Sequence, residues 1–153
     1  MLEDFEENAE EELKRADHLI YVTLKYTKTA DVIKNTIQRL INAMDFTVMV
    51  ALEYLKVKNI SNVPRMRFEQ LLEKLPKIKE YADFYFMLRR ISNAKFDSKE
   101  EYRKRVTLMT EEGDVNIDTL KEYFQKAKKF VKSIEEFCKG NKNAFENNSI
   151  TEE

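Results

Sequence analysis

The only histidine, His18, sits beside Lys14, Arg15 and Lys25 on a helical wheel. A metal ion there would lack a second imidazole or thiolate, and the flanking cations would oppose it. The position three residues before His18, where a di-iron helix carries glutamate, is occupied by Arg15. Two roles are left for His18: a general base or phosphate contact together with Arg15, or an ordinary surface residue. Cys138 is the single cysteine, so no intrachain disulfide and no CxxC zinc site can form. It has neither a helix N-terminus nor a histidine nearby to activate its thiol, and is expected in the core. Asp45 and Glu53 are not spaced to stack on one helical face, and two glycines cannot build a phosphate-cradling loop. The residues therefore point to no catalytic group, metal or cofactor, and a non-enzymatic chain is expected.

Arginine and lysine are more informative. Arg89 falls on the helical face of Ala82 and Tyr85, so its guanidinium either turns inward to a carboxylate or carbonyl, or snorkels from the end of its helix. Around it the bases are dense: Arg89, Arg90, Lys95, Lys99, Arg103, Lys104 and Arg105 meet only Asp97, Glu100 and Glu101. Further along, Lys121, Lys128 and Lys132 share one helical flank, with Lys129 beside them. Arg89, Arg90, Arg103, Lys104, Arg105, Lys121, Lys128 and Lys132 are accordingly the candidate nucleic-acid-binding residues, a ridge for RNA or an acidic partner. The alternative is a solvated helix face.

Helices must carry these residues, because only two glycines and two prolines punctuate 153 residues rich in lysine, glutamate and leucine. Leu2, Phe5, Ala9, Leu13, Ala16, Ile20 and Thr23 step by threes and fours and predict a helix over 2–26, with 19–24 apolar nearly all round. Thr29 is placed to cap a second helix over 30–58, whose stripe runs through Ile33, Ile37, Leu40, Met44, Val48, Ala51 and Leu55. Phe46, Met49 and Val50 lie off that stripe and are the candidate interface of a homodimer. Shorter helices are predicted over 65–75, 77–92 and 97–105, the last opened by Asp97 and Glu100 at capping-box spacing. The stretch 106–117 reads either as a small β-hairpin turning at Gly113 or as an extended loop. Asp118 is expected to cap a last helix over 119–139, and Gly140 to stop it.

These elements predict an all-α, up-and-down helical bundle of long antiparallel helices, one domain over 1–139 with a flexible polar tail over 140–153. A net charge of −1 argues against indiscriminate nucleic-acid binding by the whole molecule. No segment is apolar enough to span a membrane and the acidic start is unlike a signal peptide, so the expectation is a cytoplasmic protein without membrane contact.

In helix order and residue texture the chain resembles the HEPN superfamily. Its run RADHLIYVTLKYTKTADVIKNTIQRLINAMDF looks like the opening helical hairpin of an archaeal group of that general shape. The resemblance implies a helical bundle that dimerises, a minimal nucleotidyltransferase as partner, and a binding or regulatory role. RNA-cleaving members carry an arginine followed four to six residues later by a histidine. No arginine here has such a histidine, because His18 is the last one and follows Arg15 too closely. The expected function is a non-enzymatic, homodimeric helical interaction module. The alternative is an RNA-associated or HEPN-type nuclease or toxin-related protein using the basic region 89–132.

Overall fold

The computed structural model describes residues 2–141 and 143–145. The protein is mostly helical and carries a small three-stranded antiparallel sheet.

The three- and four-residue steps of the first helix bury Ala9, Leu13, Ala16, Ile20 and Leu24. Helix α1 (Leu2–His18) does not continue unchanged to its end. It passes through a π-helical stretch (Leu19–Thr23) before the last turn, α2 (Leu24–Tyr26). A π-turn shifts the helical phase by one residue. Leu24 consequently points into the core, whereas Tyr21 and Val22 are exposed. The expectation that 19–24 is covered on several sides is corrected here.

Thr29 caps α3 (Ala30–Tyr54), its side chain accepting from the Val32 amide at 3.3 Å. The apolar residues on more than one face of this helix are explained by its place: α1 and the segments 64–74, 79–93, 107–110 and 117–138 all pack on it. Val50, assigned to a dimer interface, is only 2% exposed and belongs to the core. Phe46 is half-buried and stacks on Phe5 at 6.5 Å, and Met49 is also half-buried. Phe46 and Val50 on the second apolar face of α3 thus pack within this chain. The helix ends earlier than position 58, because Lys56 takes a left-handed φ of 55°.

Three further helices follow: α4 (Pro64–Lys74), then α5 (Lys79–Asn93) after a 3-10 turn (Pro76–Ile78), and finally α6 (Ile117–Cys138). Cross-contacts give their directions. Phe5 meets Phe46 and Glu12 meets Arg39, so α1 and α3 run antiparallel. Asp45 meets Tyr85 and Gln38 meets Ser92, so α5 also runs against α3. Tyr54 meets Phe137 edge-on at 5.6 Å at the far end of α6. Phe68 joins the helices at the centre, 4.5 Å from the ring of Tyr85 and 5.3 Å from that of Phe130.

The stretch 106–117 contains a hairpin, β2 (Thr107–Thr110) and β3 (Gly113–Asn116), with Leu108 paired to Val115 and both fully buried. A third strand, β1 (Phe96–Lys99), pairs with β2 where a helix over 97–105 was expected. The Asp97 side chain accepts from the adjacent Ser98 amide, so it does not cap a helix, and Glu100 and Tyr102 are left-handed (φ 53° and 63°), which breaks any helix there. The fold is therefore mostly helical, and the expected hairpin is extended by this third strand into a small antiparallel sheet. Asn116, and not Asp118, caps α6 by accepting from the Thr119 amide at 2.8 Å. Beyond Gly140, Ala144 and Phe145 are buried, with Phe145 6.2 Å from the Phe137 ring, so this part of the expected tail packs on the helices. The remainder of that tail lies outside the described residues.

Candidate nucleic-acid interface

Because of the π-stretch, the last turns of the first helix present Tyr21 and Lys25 on one side while Ile20 and Leu24 hold the core. The turn to α3 then places Lys28 next to them, its ammonium donating to the Lys25 carbonyl at 2.6 Å. The connection between β1 and β2 folds against this turn, and the Tyr102 amide donates to the Lys28 carbonyl at 2.6 Å. Lys99, Lys104 and Arg105 are thereby brought opposite Lys25 and Lys28, and the first turns of α6 add Lys121. The result is an open groove of about 780 Å³ with Ile20, Leu24 and Ile117 among its apolar lining.

Six cations line this groove against two acids, Glu100 and Asp118. None of the six is in a salt bridge with another described residue. The Lys121 ammonium instead lies over the Tyr21 ring, 5.4 Å from its centroid. Unneutralised cations gathered along one concave surface raise the local potential and favour an extended anion.

The expected basic ridge is thus divided. Lys104, Arg105 and Lys121 meet in the groove, and Arg103 is exposed beside Lys104. Arg89 and Arg90 line a second groove of about 830 Å³ between α4, α5 and the sheet, together with Val63, Arg65, Met66, Phe86, Lys95, Glu111 and Glu112. Two of its arginines are already paired, Arg90 with Glu112 at 3.5 Å and Arg65 with Glu69 at 3.8 Å. Lys128 and Lys132 are exposed on α6 and line neither groove. Lys25 and Lys28 were missed by sequence reasoning, and Lys99 was counted in the run but not singled out. The available signal was the segment KYTK, a basic turn between the two long helices.

Arg89 turns inward. Its Nη1 donates to the Tyr85 hydroxyl at 3.3 Å, and that hydroxyl donates to Asp45 Oδ1 at 2.5 Å. Burial raises the Asp45 carboxyl above the usual carboxylate range, against the hydrogen bond from Tyr85 and the charges of Arg89 and Arg67, which lower it. Burial and the neighbouring Asp45 also push the Tyr85 hydroxyl upward. The chain of bonds couples α3 to α5 through the core.

Elsewhere, His18 is exposed and lines neither groove. Among the described residues no group of three or more His, Cys, Asp or Glu side chains is arranged to hold a metal ion. Cys138 is half-buried, and burial together with Glu6 and Glu135 raises its thiol to about 11, which disfavours the thiolate. Among the described residues no helix is long and apolar enough to cross a membrane. Comparison of the chain with protein-family models, with curated proteins and with solved structures gave no match.

Proposed function

We propose that this protein is a non-enzymatic binding module whose basic groove takes the phosphate backbone of RNA. The observation that carries the reading is the convergence of Lys25, Lys28, Lys99, Lys104, Arg105 and Lys121 without a salt bridge to any described residue. Cations already paired within a fold have little left to offer a phosphate, whereas unpaired ones release counterions on binding. A HEPN-like ancestry would fit such a role and would add a nucleotidyltransferase as partner. The lack of a histidine downstream of Arg89, Arg90, Arg103 or Arg105 means that HEPN-type cleavage is not carried over from the resemblance. The lone cysteine suits a reducing compartment, so the cytoplasm is the proposed location.

The test is a titration of labelled RNA at low salt with the wild-type chain and with Lys104→Glu/Arg105→Glu. The wild type should bind, and the variant should lose most of that affinity while keeping its helical circular dichroism. Absence of binding by the wild type at low salt would overturn the reading.

Homodimerisation is the second reading, moved from Phe46 to the second groove. Val63 and Met66 are each 48% exposed there, among charges of both signs. A two-fold contact through this groove would cover the apolar pair. Sedimentation should then show a dimer for the wild type and a monomer for Met66→Glu. A wild type that stays monomeric at high concentration removes this reading.

A further inference from the structure

Two tyrosines beside the basic groove are left in solvent by the fold. Tyr26 is 83% exposed and Tyr102 is 72% exposed, although core positions in this chain bury aromatic rings almost completely. Neither ring lines the groove, but both belong to segments that build its wall: Tyr26 ends α2 next to Lys25, and the Tyr102 amide bonds to the Lys28 carbonyl. Tyr102 also holds a left-handed φ of 63°, a conformation unfavourable for a bulky side chain. Neither packing nor the β1–β2 connection requires an aromatic residue there, since the ring is not covered. Tyr21 lines the same groove, with one face of its ring under Lys121.

Exposed aromatic rings that neighbour, along the chain, cations without a salt bridge match the chemistry of an unpaired strand. Cations track its phosphates, and each base offers a flat π-surface whatever its identity. In a duplex those surfaces are stacked inside and out of a tyrosine's reach. We propose that the groove selects single-stranded RNA, with bases stacking on Tyr102 and Tyr26 where the strand leaves the lysines. This inference rests on the RNA-backbone reading above and adds to it which form of RNA is taken and by which residues.

The test uses the full chain and three probes: a labelled single strand of about twelve nucleotides, a duplex of the same length, and inorganic polyphosphate as a polyanion without bases. Single-stranded RNA should bind more tightly than duplex. Tyr102→Ala and Tyr26→Ala, both at solvent-exposed positions, should each weaken the single strand about tenfold and leave polyphosphate unchanged. Tyr102→Phe, which keeps the ring, should restore the affinity. If RNA and polyphosphate both bind but the alanine variants change nothing, or duplex binds as well as single strand, stacking is overturned while the backbone reading stands. If no probe binds at low salt, the groove reading falls and the inference falls with it.

Discussion

The Tyr85 hydroxyl donates to Asp45 Oδ1 at 2.5 Å across the contact between α3 and α5. On the other side Arg89 donates to the same hydroxyl, so one phenol serves a half-buried carboxylate and anchors a guanidinium. The arrangement answers how Arg89 can face the interior at all: its charge is met through Tyr85 and by Asp45 behind it. Removing the hydroxyl with Tyr85→Phe leaves the carboxylate short of its donor and should cost about 1–3 kcal/mol in urea unfolding. Adding Asp45→Ala should cost less than the two single losses summed, because the same bond is broken only once. Strict additivity in that cycle would mean that the pair is not coupled.

Glu135 should make stability depend on pH. Its carboxyl is raised to about 7, first by burial and then by the hydrogen bond and charge of Glu10 and the charge of Glu6, with Lys139 opposing. A carboxyl raised in the folded state holds a proton that the unfolded chain has lost, so its contribution is full below the ordinary value of 4.5 and disappears as pH rises through about 7. Glu135→Gln removes this titration. Thermal melts should show the wild type falling relative to the variant between about pH 5 and pH 8. A constant difference across that range would contradict the shift.

Phe46 should act through the fold and not through assembly. It stacks on Phe5 and fixes the N-terminal half of α1 against α3. Phe46→Ala should lower stability by about 2 kcal/mol, the scale of a partly buried aromatic truncation. Its sedimentation coefficient should match that of the wild type. A change of oligomeric state without loss of stability would return Phe46 to an interface.

Salt should report how many groove cations act together. With all six engaged on a single strand, log K should fall against log salt with a slope of about −4, from about 0.7 per phosphate neutralised. Lys25→Glu/Lys28→Glu should flatten the slope as strongly as Lys104→Glu/Arg105→Glu. Lys128→Glu/Lys132→Glu should change it much less, since neither lysine lines the groove. Equal effects from all three pairs would spread the interface along α6.

Several elements could be read before folding because their causes are local. The steps through Ala9, Leu13, Ala16 and Ile20, and the Thr29 cap, depend on residues within a few positions of one another. The two apolar faces of α3 were also legible as a need for cover, but not which neighbour would provide it. Phe5 and four packed elements do so, and that is why Val50 is core and not interface. Where the local signals were ambiguous, β pairing decided. The segment from Phe96 to Lys99 has capping residues for a helix, yet β2 offers it backbone partners and left-handed Glu100 ends the run. The groove lay furthest from view. Lys25 and Lys28 sit in one turn, Lys99, Lys104 and Arg105 around another, and Lys121 on the last helix, so their meeting depends on the π-stretch, the Tyr102–Lys28 bond and the entry of α6. Helical periodicity acts over one or two turns, and it therefore determined which faces are apolar. Which charges share a surface depends on contacts between residues distant in the chain, and only the tertiary structure brings those together.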